Sequence, residues 1–160
     1  GIPLVTIKKA LERVEPGEHR FQVFTGYNNS VILDDTYNCA PVALEEAIET
    51  LNRIPARRRI LVVGEMKELG TFSEKLHREI ASVIFKNKID LVFLGGGDTR
   101  FIADELIKLG FLEERMETNL QNPQIVSKLL KVLAKGDVVL IKGAHSTRLD
   151  EVVRKVVKKS

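Results

Sequence analysis

The sequence has 160 residues, of which 44% are hydrophobic and 29% are charged, and its formal net charge is +3. This length and balance predict one folded domain with one hydrophobic core and exclude a disordered segment. No apolar run reaches the roughly 18 residues that a membrane helix needs, and residues 1–9 lack the order of a secretory signal, so we expect a cytoplasmic protein with no membrane partner.

The front of the chain predicts a short helix and then a hairpin. Residues 5–14 fit a helix whose inward side chains are Ile7, Ala10, Leu11 and Val14. Residues 21–27 and 31–35 alternate between apolar and polar positions on either side of Asn28-Asn29-Ser30. Such alternation across a turn sequence is typical of two antiparallel strands.

Short apolar runs rich in β-branched residues recur along the rest of the chain, at 31–33, 60–63, 91–94 and 138–141. Continuous apolar runs of this length are typical of strands that are covered on both faces. Helical patterns lie between them, at 41–54, from a possible Thr71/Glu74 capping box onward, at 99–109, and from Asn122-Pro123 to Gly136. A last helix is predicted over about 147–158, with Val152, Val153, Val156 and Val157 inward.

This alternation of strands and helices predicts an α/β fold, a three-layer sandwich with a mainly parallel, Rossmann-like sheet and an antiparallel edge hairpin. We expect residues 1–160 to form a single domain. Residues 1–19 would be a lead-in helix and linker, and residues 20–160 would be the α/β core.

The titratable residues argue against several classes of site. Cys39 is the only cysteine, so the chain has no internal disulfide or cysteine metal cluster. The three histidines, His19, His77 and His145, are too dispersed for a metal-ligand spacing, and we expect no metal site. The basic residues at 57–59 and 154–159 lie near expected helix ends and have no aromatic residues among them, so we expect no nucleic-acid partner.

Polar and glycine-rich segments follow each predicted parallel strand, at 34–38, 64–65, 95–98 and 142–146. Ligands of open α/β sheets bind beyond the carboxyl ends of the strands, where these segments should lie. The run Gly95-Gly96-Gly97 is not a dinucleotide-binding fingerprint, because position 100 is Arg100. No P-loop sequence occurs either, so the chain alone cannot hold a triphosphate in that way.

Two of the candidate residues have structural alternatives. Asp34 and Asp35 are adjacent in a strand and point to opposite faces, so they cannot share a proton as a catalytic dyad. One of them contacts a ligand, or both cap the helix that opens near Pro41. His77 lies on the inward side of its helix, which favours a hydrogen-bonded core histidine over a catalytic one.

Motifs in these segments resemble those of MurF ligases. The run Asp34-Asp35-Thr36-Tyr37-Asn38-Cys39-Ala40-Pro41 resembles their Asp-Asp-Ser/Thr-Tyr-Asn-Ala-Asn-Pro signature. Residues 64–70 with the downstream His77 resemble their Gly-Asp-Met-x-Glu-Leu-Gly and His, residues 142–146 resemble their Lys-Gly-Ser-Arg-Ser loop, and His19-Arg20 stands where they have Gly-Arg. The motifs occur in the family's order and cover nearly the whole chain.

The resemblance implies the C-terminal domain of a three-domain ligase of peptidoglycan synthesis. In that ADP-forming reaction, the terminal carboxylate of UDP-N-acetylmuramoyl-tripeptide takes the γ-phosphoryl group of ATP, and the amino group of D-alanyl-D-alanine attacks the acyl phosphate. The implied partners are the N-terminal and central ligase domains, and Mg²⁺ would be held mainly by the central domain. The isolated domain is expected to be inactive, and no catalytic residue is assigned to it.

Carried over by position, the resemblance gives two groups of site residues. The ATP group has Arg20 at the phosphates, Asp35 at the ribose, and Tyr37 and Asn38 at the adenosine side. The substrate group, near the dipeptide, is Lys142, Gly143, His145 and Ser146, with Asp98 and Arg100 as further candidates. Ala40, Ala144 and His145 depart from the family pattern and lack the amide, hydroxyl and guanidinium contacts expected there.

Two other functions are compatible with the sequence. One is a free-standing module of similar fold that binds a nucleotide or a peptide without turnover. The other is the C-terminal domain of a sibling ligase, such as folylpolyglutamate or cyanophycin synthetase. The runs Tyr37-Asn38 and Glu68-Leu69-Gly70 argue against the sibling ligase.

Overall fold

One six-stranded sheet organises the residues that this computed structural model describes, 1–11 and 17–158. Its strands are β1 (Gln22–Thr25), β2 (Val31–Asp35), β3 (Arg58–Val63), β4 (Leu91–Gly95), β5 (Met116–Leu120) and β6 (Asp137–Lys142). Their order in the sheet is β1-β2-β6-β3-β4-β5. Strands β1 and β2 are antiparallel, and the other neighbours are parallel. The predicted edge hairpin is therefore confirmed.

Helices cover both faces of this sheet. These helices are α2 (Pro41–Arg53), α3 (Ser73–Lys86), α4 (Arg100–Lys108), α5 (Asn122–Val132) and α6 (Asp150–Val156), and a further helix, α1 (Leu4–Leu11), precedes the first strand. Helices α2, α3 and α4 pack on one face, around Leu61, Val63 and Leu140. Helices α5 and α6 pack on the other, around Ile60, Val62 and Ile141. Successive strand residues thus enter opposite cores, as the pleat requires, and the predicted three-layer α/β sandwich is confirmed.

The strand β5 is absent from the sequence prediction. Its five residues read Met-Glu-Thr-Asn-Leu, and its central residues are polar and partly or fully exposed. Strand β5 lies at the edge of the sheet, where it needs no continuous apolar run. The pattern that identifies buried strands therefore does not detect it.

Several predicted helix boundaries are wrong. Helix α3 begins at Ser73 after a 3-10 turn over Gly70–Phe72, and no side chain caps it, so the Thr71/Glu74 capping box does not form. Helix α5 ends at Val132, ahead of Gly136. Helix α6 begins at Asp150, because a 3-10 turn over His145–Thr147 and a left-handed Arg148 (φ 54°) precede it.

The first helix is predicted at the correct position, but one of its expected inward residues is exposed. Helix α1 covers Leu4–Leu11, and Ile7, expected inward, is exposed together with Leu4 and Val5. Val14 and the side chains of Ala10 and Leu11 lie outside the described residues. Within the ranges 1–11 and 17–158, no helix is long and apolar enough to cross a membrane.

The basic residues at 57–59, predicted near helix ends, are only partly exposed. Arg58 and Arg59 are half-buried in β3. Arg58 donates to the Val132 carbonyl at the end of α5 and pairs with Asp137. Arg59 donates to carbonyls at the end of α2. These half-buried guanidinium groups donate hydrogen bonds to carbonyl groups at helix carboxyl ends, which have no partner within the helix.

Candidate functional site

The carboxyl ends of the parallel strands bring the predicted site segments to one edge of the sheet. Asp35 of β2 and Val63 of β3 both pair in register with Lys142 of β6. The loop after β4 follows next along the same edge, because β4 is the other neighbour of β3. The expected convergence of the four segments at this edge is therefore confirmed.

Lys142 is fixed between protein oxygens at the centre of this edge. Its Nζ donates to Asp35 Oδ2 at 2.6 Å and to the Asn38 carbonyl at 2.8 Å. The Lys142 side chain is 3% exposed, whereas that of Asp35 is 16% exposed. Asp35 Oδ1 also accepts from the Phe21 N–H at 3.2 Å. The lysine therefore ties β6 to the loop after β2 and leaves one side of the Asp35 carboxylate facing outward.

Arg20 and Tyr37 form the exposed part of the same cluster. The Arg20 guanidinium lies 3.9 Å from the centroid of the Tyr37 ring, which is a cation–π contact. Both residues are exposed. Among the residues that the structure describes, no carboxylate pairs with this guanidinium. An exposed guanidinium held on an aromatic ring is a suitable contact for a phosphorylated ligand.

The second aspartate lies beneath this surface and has a structural role. Asp34 is buried, and its Oδ2 lies 2.7 Å from His19 Nδ1. Its Oδ1 accepts from the N–H and the hydroxyl of Thr36 at 3.1 and 2.7 Å. Helix α2 has Ala40 at its N-cap and no side-chain cap bond, so the alternative in which both aspartates cap this helix is wrong. Asp34 and Asp35 have separate partners and do not form a dyad.

A second group of polar side chains joins the loops after β3 and β4. Glu65 Oε1 accepts from the Asp98 N–H at 2.9 Å, and the Glu65 carboxylate pairs with the Lys67 ammonium. Burial acts to raise the pKa of Glu65, but the hydrogen bonds from Lys67 and Asp98 outweigh burial and hold that pKa below its ordinary value. Glu65 is therefore charged at neutral pH. Its backbone carbonyl accepts from the Ala144 N–H at 3.2 Å, which links this group to the loop after β6.

His77 supports this second group from the core. It is fully buried, its Nε2 accepts from the Met66 N–H at 3.3 Å, and its Nδ1 donates to the Ser73 carbonyl at 2.8 Å. The interpretation of His77 as a hydrogen-bonded core histidine is confirmed. The Ser73 hydroxyl donates to Asp98 Oδ2 at 2.7 Å, so Asp98 is held by both its backbone and its side chain.

The remaining predicted residues lie in the loop after β6 and at the start of α4. A Cβ on Gly143 would lie 2.6 Å from Thr147 Oγ1 and 3.2 Å from Gly64 Cα, so only glycine fits where these strand ends meet. His145 and Ser146 are exposed beyond it. Arg100 is exposed at the first residue of α4, with its guanidinium 4.7 Å from the Phe101 ring centroid. The ligand contacts of all these residues stay predictions.

A cleft of about 510 Å³ opens between the second group and the loop after β6. Glu65, Lys67, Ser146 and Asn122 are among its lining residues. Neither Glu65 nor Lys67 was among the predicted site residues, although both lie in the segment that follows a predicted strand. Asn122 was missed because β5, which ends at Leu120, was not predicted. The Asn122 amide donates to two loop carbonyls, those of residues 147 and 148.

Two further groups bear on the chemistry of this edge. Burial raises the pKa of the Cys39 thiol to about 12, although the nearby Lys142 acts to lower it, so Cys39 is a neutral core side chain. Over residues 1–11 and 17–158, no three His, Cys, Asp or Glu side chains are grouped so as to hold a metal ion.

Known proteins are similar to this chain in both sequence and fold. Residues 19–145 match the family model described as Mur ligase, glutamate ligase domain. The chain is 28% identical over 158 residues to the UDP-N-acetylmuramoyl-tripeptide--D-alanyl-D-alanine ligase of Bacillus subtilis, a match that covers 98% of the chain and 34% of the relative. It is 33% identical over 153 residues to the Haemophilus influenzae ligase of the same name, covering 96% of the chain and 33% of the relative.

A solved structure gives the same result. The crystal structure of the MurF ligase from Thermotoga maritima in complex with ADP has a TM-score of 0.75 and 26% identity, and the match covers 94% of the chain and 35% of that structure. The chain spans about a third of the length of the curated relatives it matches. Because the family model covers most of the described core, the chain belongs to the Mur ligase C-terminal domain family, and the relatives named here are MurF ligases.

Proposed function

We propose that this chain is the C-terminal domain of a cytoplasmic MurF-type ligase, an ADP-forming enzyme that adds D-alanyl-D-alanine to UDP-N-acetylmuramoyl-tripeptide in peptidoglycan synthesis. One observation carries the proposal: Arg20, Asp35, Tyr37 and Lys142 meet at the carboxyl edge of the parallel sheet, where α/β folds bind ligands. The names of the relatives supply the reaction.

The exposed cluster suits the nucleotide. The Arg20 guanidinium can donate to phosphate oxygens with two parallel hydrogen bonds. Asp35 keeps accepting capacity after binding Lys142 and Phe21, because a carboxylate has about four acceptor positions. That capacity suits the hydroxyl groups of a ribose. The Tyr37 ring and the Asn38 side chain lie at the rim, where they would flank the nucleoside.

The cleft beside Glu65 suits the dipeptide, which carries an amino group and a carboxylate. Its walls present the Glu65 carboxylate, the Lys67 ammonium and the Ser146 hydroxyl. We propose that Ser146, which lines this cleft, contacts the dipeptide together with His145, Asp98 and Arg100 from the neighbouring loops and the start of α4. Lys142 and Gly143 would act by holding the loops, because the Lys142 ammonium is already bonded to Asp35 and Asn38.

The reaction also needs groups that we place in the rest of the ligase. The tripeptide carboxylate would attack the γ-phosphorus of ATP and release ADP, and the dipeptide amine would then displace phosphate from the acyl phosphate with loss of a proton. Mg²⁺ would bind the triphosphate in that chemistry. The described residues do not fit a metal site, so we assign the ion and the triphosphate-binding loop to the central domain. The role of this chain is to orient the reactants and exclude water.

A domain-exchange chimera tests the proposal. Residues 1–160 would replace the matching segment of the Bacillus subtilis relative. We expect ADP release that requires both UDP-N-acetylmuramoyl-tripeptide and D-alanyl-D-alanine. The substitution Arg20→Ala should lower kcat/KM for ATP by roughly 10- to 100-fold, the range for one charge-assisted hydrogen bond. Arg53→Ala, an exposed arginine at the far end of α2, is the matched control and should leave kcat/KM unchanged.

Two results would contradict the proposal. A folded chimera with no substrate-dependent ADP release would refute the ligase role. Tight binding of ATP or of D-alanyl-D-alanine to the 160-residue chain by itself would favour the free-standing module, since a site shared with another domain should bind weakly when that domain is absent. Calorimetry on the chain measures that binding even when the chimera does not fold.

A further inference from the structure

We propose that His19 is a positioning residue that sets the conformation of Arg20 through its hydrogen bond to Asp34. The inference rests on the proposed function in one respect, that Arg20 contacts ATP. The geometry that supports it is independent of any ligand, because it concerns the backbone on either side of Arg20 and the contacts that hold it.

The backbone around Arg20 lies twice in the left-handed region. His19 has a φ of 58° and Phe21 has a φ of 54°. Side chains other than glycine are disfavoured in this region, and such conformations persist only where neighbouring contacts hold them. Two left-handed residues in a span of three therefore require strong local anchors.

His19 supplies three of these anchors. Its N–H donates to Gln22 Oε1 at 3.0 Å, and its carbonyl accepts from the Tyr37 N–H at 3.1 Å. Its Nδ1 lies 2.7 Å from Asp34 Oδ2. With Asp34 as the acceptor, the imidazole is the tautomer that carries its proton on Nδ1 and donates. The other ring nitrogen, Nε2, faces the Glu18 carboxylate at 3.6 Å, and that glutamate is 86% exposed.

These contacts connect the buried aspartate to the exposed cation. Asp34 is 1% exposed and has no freedom to follow a moving partner. The imidazole fixes His19 on Asp34, and the His19 carbonyl fixes the Tyr37 backbone. Arg20 follows His19 directly and lies on the Tyr37 ring at 3.9 Å. Both halves of the cation–π contact are thus held by one residue that lies below them.

Substitutions at position 19 distinguish the effect of the side-chain hydrogen bond to Asp34 from the effect of the backbone conformation. His19→Gly permits the positive φ and removes the donor. His19→Asn and His19→Asp are matched in shape, and both residue types are tolerated at positive φ. Asn Nδ2 is bonded to Cγ as His Nδ1 is, so it can donate to Asp34, whereas Asp would place a second carboxylate there. Glu18→Gln is the control on the solvent side of the imidazole.

Nuclear magnetic resonance on the 160-residue chain gives the first readout. The Tyr37 ring should shift the Arg20 side-chain protons upfield in the native chain. We expect this shift to disappear in His19→Gly and His19→Asp, and to persist in His19→Asn and Glu18→Gln. In the domain-exchange chimera, dissociation constants for ATP should rise roughly tenfold in the Gly and Asp variants, the equivalent of one hydrogen bond, and should stay within about threefold in the Asn variant.

Two outcomes overturn the positioning role: an unchanged Arg20 shift in folded His19→Gly, or equal Arg20 shifts in the Asn and Asp variants. The Asn and Asp pair decides the matter when the Gly variant does not fold. A failure of the proposed function looks different. The Arg20 shift would then depend on residue 19 as expected, and the folded domain-exchange chimera would show no substrate-dependent ADP release.

Discussion

Replacing Lys142 with Met removes the ammonium that joins β6 to the loop after β2. Methionine has nearly the same length and fills the same space, so the change tests the charge and its hydrogen bonds. The variant loses the bonds to Asp35 Oδ2 and to the Asn38 carbonyl. Asp35 is left with a carboxylate that is 16% exposed and keeps only the Phe21 N–H from these contacts.

The expected cost follows from this geometry. Breaking a fully buried ion pair costs about 3–5 kcal/mol, and the partial exposure of Asp35 reduces that to about 2–3 kcal/mol. Removing the carboxylate as well, with Asp35→Asn, should recover at least about 1 kcal/mol, because the stranded charge is gone. Lys67→Met breaks the more exposed pair with Glu65 and should cost less than about 1 kcal/mol.

Urea unfolding followed by far-ultraviolet circular dichroism measures these free energies, with a constant m value as the condition for comparing variants. Either of two results would contradict this role of the Lys142 ammonium. One is a Lys142→Met variant whose stability equals that of Lys67→Met. The other is a double variant whose loss of stability is the sum of the two single losses, since the two side chains would then not interact.

Two further predictions concern the same edge of the sheet. Gly96→Ala places a Cβ 2.6 Å from Glu65 Cγ at a φ of 99°, and it should cost about 2 kcal/mol in urea unfolding. Gly110→Ala is the control, because its φ is 86° and no atom lies near its Cβ, and it should cost about 1 kcal/mol. Equal losses of stability in the two variants would exclude a clash with Glu65. Because the pKa of Cys39 is raised from 9.0 to about 12, its contribution to stability is present below pH 9 and is lost as the pH rises through 12. A pH series of urea unfolding should show that Cys39→Ala loses less stability than the native chain between pH 9 and 12, and parallel curves would contradict this.

The elements that were predicted from the sequence are those whose burial requires a run or a periodic pattern of apolar residues. The parallel strands that form the interior of the sheet are apolar on both faces, and β6 is buried at every position. Strand β5 lies at the edge of the sheet and is exposed at several positions. Its central residues are therefore polar, and a search for apolar runs does not detect it. Predicted helix boundaries were wrong where local backbone geometry sets them, as at the left-handed Arg148 before α6.

The location of the site could be predicted from the sequence, but most of its side-chain contacts could not. Parallel strands end at one edge, so the residues that follow Asp35 and those that follow Lys142 had to become neighbours. Whether Lys142 points outward or into the fold depends on the buried partners that only the packed structure supplies. The same holds for Glu65, whose interaction with the loop after β4 depends on how close the backbone at Gly96 approaches it.

The position of β6 between β2 and β3 has a consequence for synthesis on the ribosome. The strand that fills the middle of the sheet is the last to be translated, so β2 and β3 wait with unpaired edges until it emerges. Exposed strand edges invite pairing with other chains, and contacts between distant segments form slowly. Nascent chains arrested before Asp137 should therefore depend on chaperones, and a few dozen more residues should release them from that dependence.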